Sequence, residues 1–482
     1  MHPTSHPPSR CPGPLDRRTW LKIGGLNLGA LAVGLQPSLS GVLAAAEQQT
    51  EINKDFSVIL FWANGGPSHL DLFDLKPAAP VEFRGPFKPI RTTVPGMEIT
   101  ELLPRLAGIA DKFTLLRSLH HERNEHSGGT HRFLSGYPSR AANLNHGEYP
   151  EIGSLVTRTL DGDLPAAISR PREIPLFAAN TSFYGGGPAY LGPAYAPYMP
   201  APNPSTATGD NEYDPVPIYN TGGGQDDLAI SRAGVLSLNR RMGLLQNLDA
   251  LPRQLDRSGS MAALDRFQQH AVGMLSSTRT REAFDLDRED ERTRDRYGHT
   301  HFGKSLLTCR RLIEAGVRFV QCQAEFRLQP ETGVTSNWDD HSVNSHIFKA
   351  LEEKLPSFDE SVSALIEDLS LRGLDRHVLF IFCGEFGRTP KIMYNSPDRR
   401  PGRDHWNKAM SVLLAGGDLK MGQIIGKTSA KAEEPVERVM DSNCLLATLY
   451  RRFGIDTDRT YLDNSGRPIA ILPSGAPIRE LF

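Results

Sequence analysis

The sequence has few cysteines and almost no excess of charge, and both shortages narrow its class. Five cysteines occur in 482 residues, and no two of them form a Cys-x-x-Cys pair. We expect the four that follow residue 50 to be small buried hydrophobes, with a Cys309–Cys322 disulfide as the less favoured alternative. Lys and Arg number 54 and Asp and Glu 56, so the formal net charge is −2. This balance excludes a general attraction to nucleic acid or to an anionic membrane.

The chain also lacks a long apolar run that would cross a bilayer. The apolar stretch from Ile23 to Leu35 contains four glycines and an asparagine, and it is too short to span comfortably. It follows Arg17-Arg18 and precedes the small residues Ala44-Ala45-Ala46. Residues 1–46 therefore resemble a twin-arginine export signal, with a membrane anchor as the alternative. This predicts export by the twin-arginine machinery to the periplasm or the exterior, with no stable transmembrane span.

Internal repeats and low-complexity tracts are absent, and short apolar runs alternate with helical patterns instead. The predicted strands are Phe56–Trp62, Phe113–Leu119, Val317–Cys322, Val378–Cys383 and Met410–Leu414, and the predicted helices are Leu102–Ala110, Gly303–Ala315 and Leu355–Leu371. This order predicts an α/β fold, a mostly parallel sheet with helices on both faces, in one domain over residues 50–482. Residues 169–296 interrupt the pattern. We interpret them as a Pro/Gly-rich cap followed by a charged helical insertion.

Polar side chains gather where the predicted strands end. The turn Asn64-Gly65-Gly66-Pro67 follows the first strand, and its glycines allow the backbone to bend sharply and approach a ligand. The segments at these positions contain His69, Asp71 and Asp74; His120, His121, His126, Ser127 and Thr130; Asp339, His341 and His346; Glu385, Arg388 and Lys391; and Asp404 and His405. In a parallel sheet the carboxyl ends of the strands share one edge, so these segments are expected to converge.

Asp, Glu, Asn and His are the ligands that a divalent cation needs. Each segment alone is more typical of a surface cap or a local hydrogen bond, but five such segments at strand ends favour a shared polar or metal site. The segment from His126 to Thr130 also opens a predicted helix, whose free amides and dipole favour an anion. The alternative for that segment is ordinary serine capping. Arg388 and Lys391 are candidate anion contacts, or equally solvated loop charges.

Ten segments of the chain resemble one known family. They are LFWANGGPSHLDLFDLKP, RGPFKPI, LLPRLAGIADKFTLLRSL, HSGGTHRFLSG, RRLIEAGVRFV, WDDH, GEFGRTPKI, GRDHW, GRPI and GAPIREL. Together, from about Phe56 to Phe482, they are similar to the "domain of unknown function 1501" family. That family resembles the alkaline phosphatase and sulfatase superfamily in fold, and its members often carry export signals.

The resemblance implies roles for individual residues. Asn64 stands where the superfamily has a metal-binding acid, with Asp71 nearby. His126 stands at the nucleophile position with Ser127 beside it, and the absence of a Cys-x-Pro-Ser-Arg sequence argues against a formylglycine sulfatase. The remaining metal positions correspond to Asp339, His341, Glu385 and His405.

These observations favour an exported, metal-dependent hydrolase of a small-molecule or glycan phosphate or sulfate ester. Zn, Ca and Mn are the candidate ions, held by Asp339, His341, Glu385 and His405, with Asn64 or Asp71 completing the shell. The attacking group is water, Ser127 or, less favoured, Thr130, and His126 is left open as base, ligand or nucleophile. The alternatives are a non-catalytic member that binds an anionic glycan and an exported structural or surface protein that uses the Pro/Gly-rich cap.

Overall fold

The computed structural model describes residues 52–161, 174–180, 183–199, 273, 277–326 and 335–482. The predicted export signal and much of the predicted cap and insertion lie outside these ranges. The strands are β1 Ser57–Trp62, β2 Pro89–Arg91, β3 Glu98–Thr100, β4 Phe113–His120, β5 Phe177–Ala179, β6 Phe319–Gln323, β7 Val378–Cys383, β8 Gly387–Arg388, β9 His405–Trp406, β10 Met410–Gly416, β11 Gln423–Ile425, β12 Lys427–Thr428, β13 Pro435–Glu437, β14 Met440–Asp441, β15 Thr460–Leu462 and β16 Pro468–Ala470.

Helices occupy the segments between these strands. They are α1 His69–Leu72, α2 Pro104–Gly108, α3 His126–Ser135, α4 Ile152–Asp161, α5 Thr278–Phe284, α6 Glu291–Tyr297, α7 His301–Ala315, α8 Ile347–Leu371 and α9 Ser442–Phe453. Short 3-10 turns connect several of them. Within the described residues, no helix combines the length and the apolar character that a membrane crossing requires.

The central sheet has the order β11-β4-β10-β7-β1-β6-β5, and β14 also pairs with β4. Strand β10 runs antiparallel to both of its neighbours, β4 and β7. The other pairings in this sheet are parallel. The mostly parallel sheet that the sequence predicts is therefore confirmed. Because β10 is reversed, the segment that precedes it lies at the same edge as the carboxyl ends of its neighbours.

Both faces of the sheet are covered, as a continuous apolar strand requires. In the described part of the chain, the core has two apolar clusters, one on each face of the sheet, and alternate residues of β1 pack into each. Ile59 and Phe61 lie in the first cluster, and Leu60 and Trp62 lie in the second. The first cluster contains the apolar faces of α7 and α8. The second contains residues of α3, α4 and α9. This arrangement follows from the strand period of two, which sends neighbouring side chains to opposite faces.

The long helix α8 begins eight residues before the predicted start. Its buried residues Leu351, Leu355, Phe358, Val362 and Leu365 recur at intervals of three and four, which places them on one face. Pro356 lies inside this helix, and the pattern of buried residues continues on both sides of it. The four cysteines within the described residues are free thiols, and three of them are buried as predicted, whereas Cys444 is only half-buried.

Candidate metal centre

Five loops meet at the carboxyl edge of the sheet. They follow β1, β4, β6 and β7 or precede β10, and they carry the polar segments singled out in the sequence. His405 lies on β9, which precedes β10 in the chain. Because β10 runs in the reverse direction, His405 is nevertheless at this edge. Parallel pairing of β1 with β6 and β7 fixes the other loops beside each other. The sheet topology therefore decides that residues far apart in sequence become neighbours.

The turn after β1 brings its backbone against the loop that follows β6. Gly65 and Gly66 have φ values of +101° and +80°, which residues with a side chain rarely adopt. A Cβ atom on Gly65 would stand 2.4 Å from the backbone nitrogen of Asp339. The amide of Gly65 donates a hydrogen bond of 2.8 Å to Glu385 Oε1. These glycines are required because the chain turns sharply while a neighbouring backbone touches it.

Three imidazole rings surround one carboxylate oxygen, Asp339 Oδ1. The Nε2 atoms of His341, His405 and His126 lie 3.0, 3.1 and 3.4 Å from it. The Nε2 atoms of His341 and His405 are themselves only 2.9 Å apart. Asp339 is buried, whereas the side chains of the three histidines retain between 20% and 31% exposure. The cluster therefore opens to solvent on its histidine side.

The opposite nitrogen of each ring has a partner that only accepts hydrogen bonds. His126 Nδ1 lies 2.7 Å from Glu385 Oε1, and His341 Nδ1 lies 2.7 Å from Asp404 Oδ1. His405 Nδ1 lies 2.8 Å from the carbonyl oxygen of residue 124. Each Nδ1 must therefore carry the hydrogen, which leaves the Nε2 lone pair of a neutral ring directed toward Asp339. We assign these tautomers from the partners.

This donor set fits a cation. Three Nε2 lone pairs and a carboxylate oxygen repel one another unless positive charge lies among them. Imidazole rings that bind metals commonly donate their other N–H to a carboxylate or a backbone carbonyl, as all three rings do here. The ligating atoms of His126, Asp339 and His405 lie within 4.8 Å of one another. Three nitrogen or oxygen ligands on one ion are separated by roughly 3.3 Å, so modest movement would bring them into its shell.

The pKa values of the cluster agree with its attraction for positive charge. Burial lowers the pKa of His126, but its hydrogen bonds with Asp339 and Glu385 outweigh burial and raise it to about 9. Burial acts to raise the pKa of Asp339, but the three histidines and Arg388 hold that pKa well below its usual range. Burial lowers the pKa of His405. Burial also lowers the pKa of His341, but its hydrogen bonds with Asp339 and Asp404 outweigh burial and raise that pKa. Without a metal ion, protonation within this group of rings supplies positive charge, and an ion would displace such a proton.

Arg388 lies behind the cluster rather than at its open side. Its Nη2 atom is 2.6 Å from Asp339 Oδ1, and its guanidinium also donates to the carbonyl oxygens of Gly65, Gly66 and Arg403. The side chain is fully buried. The predicted contact between Arg388 and a solvent-borne anion is therefore replaced by an internal ion pair. Lys391, the other predicted anion contact, is exposed on the following loop.

Glu385 contacts the ring of His126 on the side that faces away from Asp339. The carboxylate that the sequence assigns to the metal contacts His126 Nδ1 and the Gly65 amide through Oε1. Its Oε2 atom is buried and has no hydrogen-bond partner. In this position Glu385 orients the ring of His126, and the ring's other nitrogen faces Asp339. His126 therefore directs its Nε2 atom toward Asp339, a geometry that suits the ligand role among the three that the sequence left open for it.

Asp71 does not join the cluster, and the contact that Asn64 makes to the neighbouring loop is through its backbone. Asp71 Oδ2 accepts hydrogen bonds from Arg403 Nε at 2.8 Å and from the Ser68 hydroxyl at 2.5 Å. The backbone carbonyl of Asn64 accepts from the amide of Trp338 at 2.9 Å. Asp71 is committed to Arg403, and Asn64 contributes its backbone to the loop that carries Asp339.

Ser127 and Thr130 follow His126 on α3, but their hydroxyls do not point into the cluster of imidazoles. The Ser127 hydroxyl accepts from the Leu144 amide at 2.8 Å and lies 3.3 Å from the carbonyl oxygen of Ala142. Both partners belong to the loop beyond α3. Thr130 is buried in the middle of the helix. Neither hydroxyl contacts Asp339 or the three histidines.

Asp404 accepts a hydrogen bond from His341 and so orients its ring, a role that the sequence did not predict. Nor did the sequence predict a role for the carbonyl of residue 124, which holds the ring of His405. Asp404 directly precedes His405 in the sequence, but the ring that it orients is that of His341, so the adjacency does not reveal its partner. A backbone carbonyl carries no signal in the sequence.

Together, the fold and the cluster define an α/β protein with a candidate cation site at the carboxyl edge of its sheet. The chain belongs to the family described as "Protein of unknown function (DUF1501)", which matches residues 55–482. No curated protein matches the sequence.

Several solved structures are similar to this chain in fold. PsFucS1 sulfatase from Pseudoalteromonas sp. has 10% identity and a TM-score of 0.37, with 92% of this chain and 72% of that chain covered. Alkaline phosphatase from the Antarctic bacterium TAB5 has 11% identity and a TM-score of 0.34, with 85% and 100% covered. The lipoteichoic acid synthase LtaP from Listeria monocytogenes has 9% identity and a TM-score of 0.34, with 88% and 76% covered.

Proposed function

We propose that the protein is a metal-dependent hydrolase of phosphate or sulfate esters. The observation that carries the proposal is the convergence of three imidazole Nε2 atoms on Asp339 Oδ1. Asp339, His126 and His405 would hold the ion, with His341 beside them. A bound divalent ion lowers the pKa of water from 15.7 towards about 7 and stabilises a developing oxyanion. Glu385 and Asp404 fix the rings of His126 and His341, so the site is prepared before substrate arrives.

An anionic ester is the favoured class of substrate because α3 begins at the cluster. This ten-residue helix starts at His126, so its free first-turn amides and the positive end of its dipole lie beside the imidazoles. Gly128 and Gly129 add no side chain of their own to that turn, and a Cβ atom on Gly128 would stand 3.1 Å from the carbonyl oxygen of Ala142. These features would hold the negative group of a small-molecule or glycan ester.

The imidazole content favours Zn²⁺ or Mn²⁺ over Ca²⁺. Calcium takes six to eight oxygen ligands, whereas neutral imidazole suits zinc and other transition ions. Of the candidate ions, Zn²⁺ is the first choice for a set of nitrogen and carboxylate ligands near tetrahedral spacing.

A non-catalytic role in binding an anionic ligand is the second candidate. The observation that favours it is the position of the Ser127 hydroxyl, which is held by the loop beyond α3. In that case the site would bind a phosphorylated or sulfated glycan without turnover. Metal binding is common to both candidates, and only turnover separates them.

The test combines metal analysis with two assays of turnover. Chelator-treated protein is reloaded with Zn²⁺, Mn²⁺ or Ca²⁺ in turn, and hydrolysis of an aryl phosphate and an aryl sulfate is followed. His405→Ala is expected to abolish tight metal binding and turnover. His377→Ala is the matched control, because His377 is exposed at the opposite end of β7. Folded protein that binds no ion and turns over neither ester would refute the proposal, and ion and anion binding without turnover would favour the second candidate.

Export by the twin-arginine machinery is part of the proposed function. It is supported by Arg17-Arg18, the soft apolar stretch and the small residues that follow them. Replacing both arginines by lysine is expected to retain the protein inside the cell, as measured by fractionation. Unchanged export of that variant would argue against this route.

A further inference from the structure

Two fully buried arginines each hold an aspartate at this edge of the sheet. Arg388 Nη2 lies 2.6 Å from Asp339 Oδ1, and Arg403 Nε lies 2.8 Å from Asp71 Oδ2. The side chains of both arginines are completely buried. The two pairs are also connected, because Arg388 Nη1 donates to the carbonyl oxygen of Arg403 at 3.0 Å. Buried charges of this kind are stable only when they are paired and hydrogen-bonded.

Arg388 is held in place as a permanent positive charge. Its Nε atom donates to the Gly66 carbonyl at 2.9 Å, and its Nη2 atom donates to the Gly65 carbonyl. These bonds fix the guanidinium on the side of Asp339 that faces away from solvent. The histidines approach the same carboxylate from the open side. Asp339 therefore lies between an internal cation and the candidate ion position.

Within the part of the chain that the structure describes, His, Cys, Asp and Glu side chains form no second group of ligands at this edge. Among the described residues, one group of three such side chains has ligating atoms within 4.8 Å of one another. It consists of His126, Asp339 and His405. Asp71 is neutralised by Arg403, and Asn64 would add at most one uncharged amide oxygen as a ligand. Glu385 has one unpartnered oxygen, Oε2, while its Oε1 is committed to His126 and to a backbone amide. One oxygen does not make a second coordination site.

The local charge also matches a single divalent ion. The carboxylates of Asp339, Glu385 and Asp404 contact the three rings or the guanidinium of Arg388. Three carboxylates and one guanidinium leave two negative charges, which one divalent cation neutralises. A second divalent cation would leave an uncompensated positive charge in a partly buried site, where charges interact strongly.

We propose that the centre takes one divalent cation per chain and that Arg388 supplies a second, built-in positive charge on Asp339. This inference rests on the proposed metal site and extends it to the number of ions. The built-in charge has a cost in affinity, since it competes with the ion for the same carboxylate oxygen. It also keeps Asp339 ionised and oriented when no ion is bound.

Cobalt titration of the chelator-treated full chain measures the number directly. Co²⁺ bound by nitrogen and oxygen ligands absorbs visible light, so the absorbance is followed until it stops rising, and Zn²⁺ is then added to displace it. One tight equivalent per chain is expected, and it should disappear in His405→Ala and persist in His377→Ala. Two tight equivalents would overturn this inference and leave the proposed function standing. No tight equivalent in folded protein would overturn both.

Variants of Arg388 test the built-in charge. Arg388→Gln removes the competing cation, so the single ion is expected to bind more tightly, on the order of tenfold. Arg388→Lys keeps a positive charge and is expected to remain close to the wild-type affinity. Unchanged or weaker binding in folded Arg388→Gln would assign Arg388 to the scaffold alone and overturn the charge argument. If Arg388→Gln does not fold, the wild-type cobalt endpoint decides the inference.

Discussion

Glu385 offers a sharp test of how the centre is held together. Its side chain is fully buried, and Oε1 accepts one hydrogen bond from His126 Nδ1 and one from the Gly65 amide. Glu385→Ala leaves both donors without an acceptor. A buried donor without a partner costs about 1–3 kcal/mol, so the free energy of unfolding is expected to fall by about 4 kcal/mol. Loss of the orienting carboxylate is expected to weaken ion binding by roughly 10- to 100-fold.

Glu385→Gln separates orientation from packing. The glutamine oxygen accepts both hydrogen bonds, so the fold should be largely kept, while the loss of charge should weaken ion binding by about tenfold. Affinity is measured by competition with a chromogenic chelator, and stability by urea unfolding. Glu437→Ala is the control because Glu437 lies on the surface with its side chain 64% exposed. Folded Glu385→Ala protein with wild-type ion affinity would refute the assignment of Glu385 as an orienting residue.

Three further predictions concern the scaffold. Burial raises the pKa of Glu151 from its ordinary value of 4.5 to about 7. Since the unfolded state releases this proton first, its contribution to stability is present below pH 4.5 and is lost by about pH 7. Glu151→Gln should remove that loss and gain roughly 3 kcal/mol at pH 8 in urea unfolding, and an unchanged pH profile would contradict this. Gly65→Ala, whose Cβ would stand 2.4 Å from a backbone nitrogen, should unfold at markedly lower temperature than Gly373→Ala, which has open space around it; equal melting temperatures would count against the close approach. Lys354 is fully buried 3.2 Å from Asp340, so Lys354→Ala should cost about 3–5 kcal/mol in urea unfolding, and a loss below 1 kcal/mol would show that the pair does not support the loop that carries Asp339.

Strand positions were predictable because buried parallel strands are continuous apolar runs. Val378–Cys383 was predicted with the same limits that the structure shows, and Met410 was predicted as the start of its strand. Helix boundaries were less accurate where capping decides them. Helix α7 begins at His301, two residues before the predicted start at Gly303. It does so because the hydroxyl of Thr300 accepts a hydrogen bond from the Gly303 amide. The residues that form such capping hydrogen bonds give a weaker signal in the sequence than a run of apolar residues does.

The candidate metal residues were predictable as a set because acids and histidines accumulate where strands end. Their individual positions were not predictable, because these depend on which partner each side chain finds. Asp71 and Asp339 both look like ligands in the sequence, yet one is held by Arg403 and the other faces three imidazoles. Glu385 and His126 were both candidates, and their hydrogen bond fixes which of them faces Asp339.

The amino-acid sequence by itself determined the α/β class, five strands of the central sheet, and the occurrence of acids and histidines next to those strands in the chain. These follow from apolar periodicity and from glycine's access to positive φ, which are local properties of the chain. Only the tertiary structure decided which carboxylate faces the imidazoles and which is held by a buried arginine. Ion pairing and ring orientation depend on contacts between residues hundreds of positions apart, and those contacts exist only after the sheet has assembled.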